Sequence, residues 1–304
     1  MKLINQILSP DNLQAAWEEV EKNKGAPGID RISIRRWRRN WEERLVNLAQ
    51  AVRANTYRPS RMRRFTISKK DGSPRQMAIL TVDDRVLQRA VLRVVDNYFD
   101  QKFLDCSYGY REKRGIRNAI PAILIYQRQG YNWVLDADID ECFPSLDHSV
   151  ILDGFVEVID DITVKNLVKM WLKTSAPNPN RPVGLALGAV ISPLLCNIAL
   201  HRLDMGLVQH GWHLVRYADD FCVFCRTERE ARVAQEETGE ILMNLKLKLE
   251  PDKTRITSFD IGFDFLGVHF FRDTYSFICQ EKRIEGKGEF NPHLFYDYVP
   301  DGYE

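Results

Sequence analysis

Tyr217-Ala218-Asp219-Asp220-Phe221 is the stretch that decides the fold, because it sets two adjacent aspartates in a tight turn between apolar runs. Trp212–Tyr217 and Phe221–Cys225 are the predicted strands on either side of this turn. Paired carboxylates that lose water are costly, so they usually hold a cation between them. Mg²⁺ prefers such hard oxygen ligands. The alternative is an ordinary surface turn, since turns favour aspartate.

A second group of carboxylates lies in an apolar stretch earlier in the chain. Asp136 and Asp138 alternate with apolar residues in the predicted strand Tyr131–Ile139, so both side chains face one side of it. Asp140 continues the same parity, and Asp136, Asp140 and Asp204 are expected to support the structure instead of binding metal directly. A carboxylate at the end of a buried strand, next to an Asp-Asp turn, is what a two-metal phosphoryl-transfer site needs. The residues alone do not place the two segments side by side.

Basic residues are concentrated in one part of the chain. Arg31–Arg75 contains fourteen Lys and Arg against three acids, a net charge of +11, so the rest of the chain carries −10 within an overall charge of +1. Aromatic residues are interleaved with them, at Trp37, Trp41, Tyr57 and Phe65. This density favours binding to nucleic acid through phosphate contacts and stacking. A solvated helical face is the alternative for its most basic part, Arg35–Arg39.

The composition is that of a globular protein, with 44% hydrophobic and 28% charged residues. No apolar run reaches the roughly 18 residues of a membrane span, and the first residues lack a secretory signal, so we expect a cytoplasmic protein with no membrane partner. The six cysteines show no disulfide or zinc spacing.

Helical and strand patterns intermix without a repeating βαβ unit, which predicts an α+β fold. The predicted helices are Ile34–Val52, Asp83–Phe103, Gly115–Gln127, His148–Val158, Thr163–Lys173, Val190–Val208 and Glu228–Leu245. Besides those named above, the predicted strands are Arg63–Ser68, Gln76–Leu80, and a closing hairpin of Phe263–Phe270 with Tyr275–Cys279.

A series of motifs between about residue 23 and residue 271 resembles, in order, the reverse transcriptases of bacterial group II introns and their relatives. The matching stretches are Asn23–Asp30, Ile67–Arg75, Ser107–Arg111, Asp138–Phe143, Gly184–Asn197, Tyr217–Asp220, Leu249–Thr254 and Phe265–Gly267. The resemblance implies a right-hand polymerase with an antiparallel palm sheet packed by helices and a mostly helical fingers lobe.

The resemblance also implies domain boundaries. We expect fingers over residues 1–130, with a basic template- and nucleotide-binding segment at 31–75. The palm is expected over 131–280, with fingers helices re-entering near 147–183, and an acidic tail or linker over 281–304. The sequence ends 37 residues after Gly267, so the thumb is expected to be absent or incomplete.

Site residues carry over from the same motifs. The expected catalytic residues are Asp138, Asp219, Asp220 and Lys253, and two Mg²⁺ ions, for which Mn²⁺ can substitute, are expected on the three aspartates and the carbonyl of Ile139. Nucleotide-binding residues are expected at Lys69, Arg75, Ile139, Phe143, Leu187 and Gly188, where Phe143 would exclude a ribose 2′-hydroxyl. Template or primer contacts are expected at Arg63, Arg64, Phe265, Leu266 and Gly267.

The expected function is RNA-directed DNA polymerisation, in which deoxynucleotides are added to a DNA or RNA primer on an RNA template. One departure is Ala186-Leu187-Gly188, where the family usually has Pro-Gln-Gly. Two alternatives stay open: a non-catalytic RNA-binding scaffold subunit, and a related RNA polymerase or template-independent nucleotidyltransferase. A role in CRISPR spacer acquisition or phage defence is a further expectation, with a spacer integrase or another protein supplying the thumb functions.

Overall fold

The computed structural model describes residues 2–68, 72–178, 180–279 and 282–288. The chain divides into two compact units. Unit 1 comprises Met1–Lys102 and Phe143–Ala199, and unit 2 comprises Phe103–Cys142 and Leu200–Glu304. The domain boundaries expected from the sequence stay a prediction.

Helices form most of unit 1, and several begin where the sequence offers a cap. Within the described residues the helices are α1 (Leu3–Ile7), α2 (Pro10–Lys22), α3 (Ile34–Trp37), α4 (Trp41–Arg53), α5 (Val82–Asp100), α6 (Ile116–Arg128), α7 (Cys142–Ser145), α8 (His148–Val158), α9 (Ile162–Ser175), α10 (Ser192–Gln209) and α11 (Glu228–Asn244). Thr81 accepts a hydrogen bond from the backbone N–H of Asp84, and Asp147 from that of Ser149, so α5 and α8 begin at these caps.

The helix predicted over Ile34–Val52 is interrupted. A 3₁₀ turn, Arg38–Asn40, separates α3 from α4, and Asn40 leaves the helical region with φ −132° and ψ 37°. Trp37 is fully buried at the end of α3, where its Nε1 donates to Asp83 Oδ1 at 2.8 Å. This anchored indole and the following asparagine, a poor helix former, explain the break.

Unit 1 also contains one antiparallel hairpin, β1 (Arg63–Ser68) with β2 (Pro74–Ile79). Its register pairs Arg63 with Ile79 and Ile67 with Arg75. The hairpin predicted from the sequence is confirmed, although its connecting residues 69–71 lie outside the described residues.

Unit 2 is organised around a four-stranded antiparallel sheet. The strands β3 (Trp133–Ala137), β4 (His213–Tyr217), β5 (Asp220–Cys225) and β6 (Arg255–Ser258) lie in the order β4-β5-β3-β6. The two central strands are almost wholly apolar and buried, and α11 packs against them. β6 is not among the strands predicted from the sequence, because its four residues, three of them polar, show no clear alternation of apolar and polar side chains.

A second antiparallel sheet has the order β10-β9-β8-β7. Its strands are β7 (Phe263–Phe265), β8 (Val268–Phe271), β9 (Thr274–Cys279) and β10 (Lys282–Lys287). The predicted strand Phe263–Phe270 is therefore two strands, because Leu266 and Gly267 form a turn with φ +53° and +74°. β10 lies in the stretch that was expected to be tail or linker.

The predicted α+β class with antiparallel sheets is confirmed by this architecture. Among the described residues, none of the helices combines the length and apolar character that crossing a bilayer requires. The expected cytoplasmic location stays a prediction.

Candidate active site

Strand pairing in unit 2 brings the predicted carboxylates together. The β3–β5 register pairs Ala137 with Phe221, so the next residues outward along the two strands are Asp138 and Asp220. Tyr217 pairs with Asp220 across the β4–β5 turn, which places Asp219 at its tip. Asp138 is 8% exposed, and the other two aspartates are half-buried. The three carboxylates therefore lie at adjoining strand ends.

Lys253 approaches this cluster from the segment before β6. Its Nζ lies 2.5 Å from Asp138 Oδ2. The hydrogen bond to Asp138 raises the pKa of Lys253; burial opposes this, and the charges of Asp138, Asp220 and Asp219 add to it. The Lys253 ammonium group therefore lies in the negative potential of all three carboxylates.

Backbone hydrogen bonds hold that segment in place. The N–H of Glu250 donates to the carbonyl of Asp138 at 2.9 Å, and the N–H of Asp140 donates to the carbonyl of Lys248 at 3.0 Å. Ile139, which lies between them, is buried and forms an antiparallel bridge with Leu249. The matched stretch Leu249–Thr254 thus runs beside the start of the matched stretch Asp138–Phe143.

The additional carboxylates on this strand have basic partners. Asp136 lies 3.0 Å from Arg255 Nε, its cross-strand neighbour. Burial raises the pKa of Asp136 to about 6, against the lowering effect of Arg255. Asp140 lies 2.6 Å from Lys248 Nζ, and this hydrogen bond lowers the pKa of Asp140. The supporting role expected for Asp136 and Asp140 stays a prediction.

The donor set fits a hard divalent cation, although the side chains are not arranged around one. In the part of the chain that the structure describes, no three His, Cys, Asp or Glu side chains converge as metal ligands. Lys253 instead lies against Asp138. Mg²⁺ and Mn²⁺ prefer carboxylate oxygen ligands, and three carboxylates lie here at adjoining strand ends. Their negative charges contribute to the raised pKa of Lys253.

Two of the predicted nucleotide-binding residues, Phe143 and Leu187, accept backbone hydrogen bonds from other segments of unit 1. The N–H of Leu185 donates to the carbonyl of Phe143 at 2.7 Å, and the N–H of Ala78 on β2 donates to the carbonyl of Leu187 at 2.8 Å. Gly188 has φ +97°, and a Cβ there would lie 2.5 Å from the Ala78 carbonyl oxygen. Only glycine fits this close approach without a shift of the loop.

Packing explains the first residue of the family departure, Ala186. Ala186 and Ala189 are buried in a small cluster with Met62, Ala78 and Leu80. The Leu187 side chain is half-buried. Small apolar residues therefore pin this loop to the hairpin.

The β1–β2 hairpin places Arg63 and Arg64 on opposite faces, so the two predicted contact residues have different surroundings. By the alternation of a strand, Arg63, Phe65 and Ile67 share one face, and Arg75 pairs with Ile67 on that face. Arg64 points to the other face, where its Nη2 donates to the carbonyls of Ser175 at 2.7 Å and Ala176 at 3.2 Å, at the end of α9.

Arg63 and Arg75 are exposed on a face that also carries exposed Phe65 and Ile67. Arg64 instead satisfies carbonyls at a helix C-terminus. Lys69, predicted to bind the triphosphate, lies outside the described residues.

The predicted primer-contacting turn presents mainly backbone. Phe265 and Leu266 are 4% and 2% exposed and belong to the apolar core of unit 2. Gly267 is exposed at the turn between β7 and β8. Any ligand at this turn would meet Gly267 and the main chain, and not the two large side chains.

Sequence reasoning named Asp204 but missed its partner Arg216, which lies directly before the Asp219-Asp220 turn. Arg216 and Asp204 form an ion pair with no exposed side-chain surface on either residue. The available signal was the arginine itself, because a charged residue inside the apolar strand His213–Tyr217 requires a buried partner.

Among known protein families, the one described as "Reverse transcriptase (RNA-dependent DNA polymerase)" matches residues 67–270. The chain belongs to this reverse transcriptase family. The match includes every predicted catalytic residue, and enzymes of the family generally use divalent metal ions.

Two curated relatives support the assignment, and one solved structure shares the fold. The chain is 27% identical to Protein YkfC of Escherichia coli in an alignment 317 residues long, which covers 89% of this chain and 83% of YkfC. It is 31% identical to the group II intron-encoded protein LtrA of Lactococcus lactis over 223 residues, which cover 68% of this chain but only 35% of LtrA. A telomerase structure from Candida albicans matches the fold with a TM-score of 0.57 at 11% identity, covering 86% of this chain and 51% of that one.

These matches confirm the expected membership among group II intron-like reverse transcriptases. The chain is thereby an RNA-directed DNA polymerase at the level of its family. The four-stranded sheet of unit 2 carries the three carboxylates, and its assignment as the palm stays a prediction.

Proposed function

We propose that this reverse transcriptase adds deoxynucleotides to a primer 3′-hydroxyl on an RNA template, with chemistry at Asp138, Asp219 and Asp220. The observation that carries the proposal is the β3–β5 register, which aligns Asp138 with the Asp219-Asp220 turn. The contact between Lys253 and Asp138 supports it, because it adds a proton donor to the same cluster.

Each catalytic residue has a chemical role in this proposal. The three aspartates and the carbonyl of Ile139 would hold two Mg²⁺ ions, or Mn²⁺ in their place, which when bound stabilise charge on the attacking and leaving oxygens. A lysine is protonated at neutral pH, and the hydrogen bond to Asp138, which raises the pKa of Lys253, favours this state further. Its ammonium group can neutralise the leaving pyrophosphate and donate a proton to it.

The incoming nucleotide is proposed to bind through residues of unit 1. Arg75 and Lys69 bind the triphosphate, and Arg63 shares the exposed face of Arg75 on the hairpin. Phe143, which is 6% exposed and fixed through its carbonyl to the loop at Leu185, excludes a ribose 2′-hydroxyl. Leu187 and Gly188 supply the adjoining loop surface.

Template and primer are proposed to bind mainly through arginine and backbone. Arg63 and the exposed Phe65 offer a phosphate contact and a stacking surface. Arg64 acts indirectly, by fixing the hairpin to the end of α9. At the β7–β8 turn, the main chain of Leu266 and Gly267 makes the primer contact, and Phe265 supports it from the core.

Primer extension tests the proposal directly. Purified protein with an RNA template, a DNA primer, dNTPs and Mg²⁺ or Mn²⁺ should extend the primer. Asp138→Ala and Asp219→Ala should each lower the rate at least about a thousandfold, since metal-ion stabilisation is worth several kcal/mol and about 1.4 kcal/mol is tenfold. Asp260→Ala, which removes a carboxylate exposed in the same unit, is the matched control.

The outcomes also separate the alternatives. Retained extension in either aspartate variant would contradict the assignment of the site. If wild-type protein binds primer–template but incorporates nothing with either metal, the scaffold hypothesis holds. If it incorporates rNTPs as readily as dNTPs, the role given to Phe143 is wrong; if Phe143 is the gate, Phe143→Ala should newly admit rNTPs. A role in spacer acquisition or defence, and a partner that supplies the thumb functions, stay predictions.

A further inference from the structure

A buried ion pair lies directly before the Asp219-Asp220 turn. Arg216 Nε and Nη2 donate to the two carboxylate oxygens of Asp204, each at 2.6 Å. Neither side chain has exposed surface. This two-pronged geometry fixes the plane of the guanidinium, so the remaining N–H groups point in set directions.

The other N–H groups of Arg216 reach the turn and a neighbouring segment. Nη1 donates to the carbonyl of Ala218 at 2.9 Å, and Nη2 also donates to Ser107 Oγ at 2.8 Å. Ala218 has φ +57°, a conformation that side-chain-bearing residues adopt rarely. The guanidinium therefore holds the carbonyl of a strained residue adjacent to Asp219.

The segment around Ser107 is fastened to the same strand through its backbone. The N–H of Arg216 donates to the carbonyl of Cys106, and the N–H of Tyr108 donates to the carbonyl of Arg216, both at 2.8 Å. Gly109 then passes so close to the turn that a Cβ would lie 2.5 Å from the backbone nitrogen of Ala218. The turn is therefore enclosed by the guanidinium and by the chain at Gly109.

We propose that Arg216, Asp204 and Ser107, with the close approach of Gly109, act as positioning residues that fix the Tyr217–Asp220 turn and so set the direction of the Asp219 and Asp220 carboxylates. This inference rests on the proposed function of those carboxylates. It gives the Ser107–Arg111 motif a role that its sequence alone did not reveal. The fully buried ion pair with Asp204 holds the Arg216 guanidinium in place. The guanidinium in turn holds the carbonyl of Ala218, the residue next to Asp219.

Residues of this kind affect the site through geometry and not through contact with substrate. Groups that support metal ligands typically change metal affinity or activity by about 10- to 100-fold when they are replaced. Misplacement of a reacting group by about 1 Å can cost a similar factor. Loss of the positioning contacts should therefore weaken metal binding and lower kcat, while KM for dNTP changes little.

Three substitutions test the positioning role. Ser107→Ala removes one acceptor from the guanidinium, Gly109→Ala pushes a methyl group against the Ala218 nitrogen, and Arg216→Lys keeps the charge but loses the fork. Gly239→Ala is the matched control, because a Cβ at this site in α11 meets nothing within 4 Å. The measurements are Mn²⁺ binding followed by electron paramagnetic resonance, kcat and KM for dNTP, and thermal unfolding.

We expect Mn²⁺ affinity to fall by about tenfold or more and kcat by about 10- to 100-fold in Ser107→Ala and Gly109→Ala, with Gly239→Ala at wild-type values. Folded variants with wild-type Mn²⁺ affinity and kcat would overturn the inference, even if their unfolding temperature were lower. If Arg216→Lys does not fold, the other two variants decide.

The same experiment distinguishes this inference from the function on which it rests. A wild-type protein that neither binds Mn²⁺ nor extends a primer contradicts the proposed function. A wild-type protein that does both, with unaffected variants, contradicts only the positioning role.

Discussion

Gly188→Ala should destabilise unit 1 by an amount that the structure allows us to work out. Gly188 has φ +97°, and a non-glycine residue held in such a region costs about 1–3 kcal/mol. The new Cβ would lie 2.5 Å from the Ala78 carbonyl oxygen, so the loop has to move. That movement weakens the 2.8 Å hydrogen bond from Ala78 N–H to the Leu187 carbonyl, worth about 0.5–1.5 kcal/mol. Together we expect a loss of about 2–4 kcal/mol.

A matched control separates the contact from the backbone conformation. Gly72 lies in the same unit with φ +83°, but a Cβ there meets nothing within 4 Å. Gly72→Ala should therefore show only the conformational cost, about 1–2 kcal/mol. Urea unfolding monitored by tryptophan fluorescence gives the free energy of unfolding for both variants.

The same substitution should also affect nucleotide binding. If the loop at Leu187 and Gly188 contacts the incoming nucleotide, Gly188→Ala should raise KM for dNTP more than it lowers kcat. A free energy of unfolding within 0.5 kcal/mol of the Gly72→Ala value, the usual range for a surface change, would refute the close approach to Ala78.

Two further predictions concern the hairpin arginines and the cysteines. Arg63→Ala should leave stability within about 0.5 kcal/mol of wild type but weaken primer–template binding and reduce the slope of log affinity against log salt by about one. Arg64→Ala should instead lower the free energy of unfolding by about 1–2 kcal/mol, because the contacts to the carbonyls of Ser175 and Ala176 are lost. Its slope of log affinity against log salt should be that of the wild type. Identical behaviour of the two variants would contradict the assignment of the two arginines to opposite faces. Burial raises the pKa of Cys106 and Cys225 to about 12 from the usual 9.0, so their thiolate populations at pH 8 are lower by about a thousandfold. Alkylation by iodoacetamide in the native protein, followed by mass spectrometry, should therefore be slow at pH 8 and rise about tenfold per pH unit, whereas urea-unfolded protein should react quickly.

Local signals explain why many elements were predictable. The helix His148–Val158 was predicted with its observed bounds, because Asp147 caps it and its apolar residues recur at helical spacing. The strand Arg63–Ser68 was also predicted with its observed bounds, since it precedes a turn rich in polar residues. These features depend on residues that are close along the chain.

Features that depend on distant residues could not be predicted from the pattern. The strand Arg255–Ser258 exists because it pairs with Trp133–Asp136, more than a hundred residues earlier. The break between Trp37 and Trp41 depends on a hydrogen bond from the Trp37 indole to Asp83. Neither long-range partner can be read from the local sequence.

The carboxylates show the same limit more sharply. The alternation of Asp136, Asp138 and Asp140 predicts that they share a face, but it does not predict the partner of each. All three pair with basic residues of the stretch from Lys248 to Arg255. The sequence therefore identifies where charge accumulates, and the fold decides how each charge is used.

Asp204 and Asp138 differ in the basic partner that holds each carboxylate. Asp204 is held by Arg216, and with both side chains fully buried the removal of either leaves an uncompensated charge. Asp138 is held by Lys253, whose side chain is 58% exposed on a flexible stem. The Asp138 pair is open to solvent on its lysine side, which screens the attraction, so a bound cation or phosphate can separate it more readily than the Asp204 pair. The protein thus contains one fully buried ion pair beside the turn and one partly exposed ion pair at a proposed metal ligand.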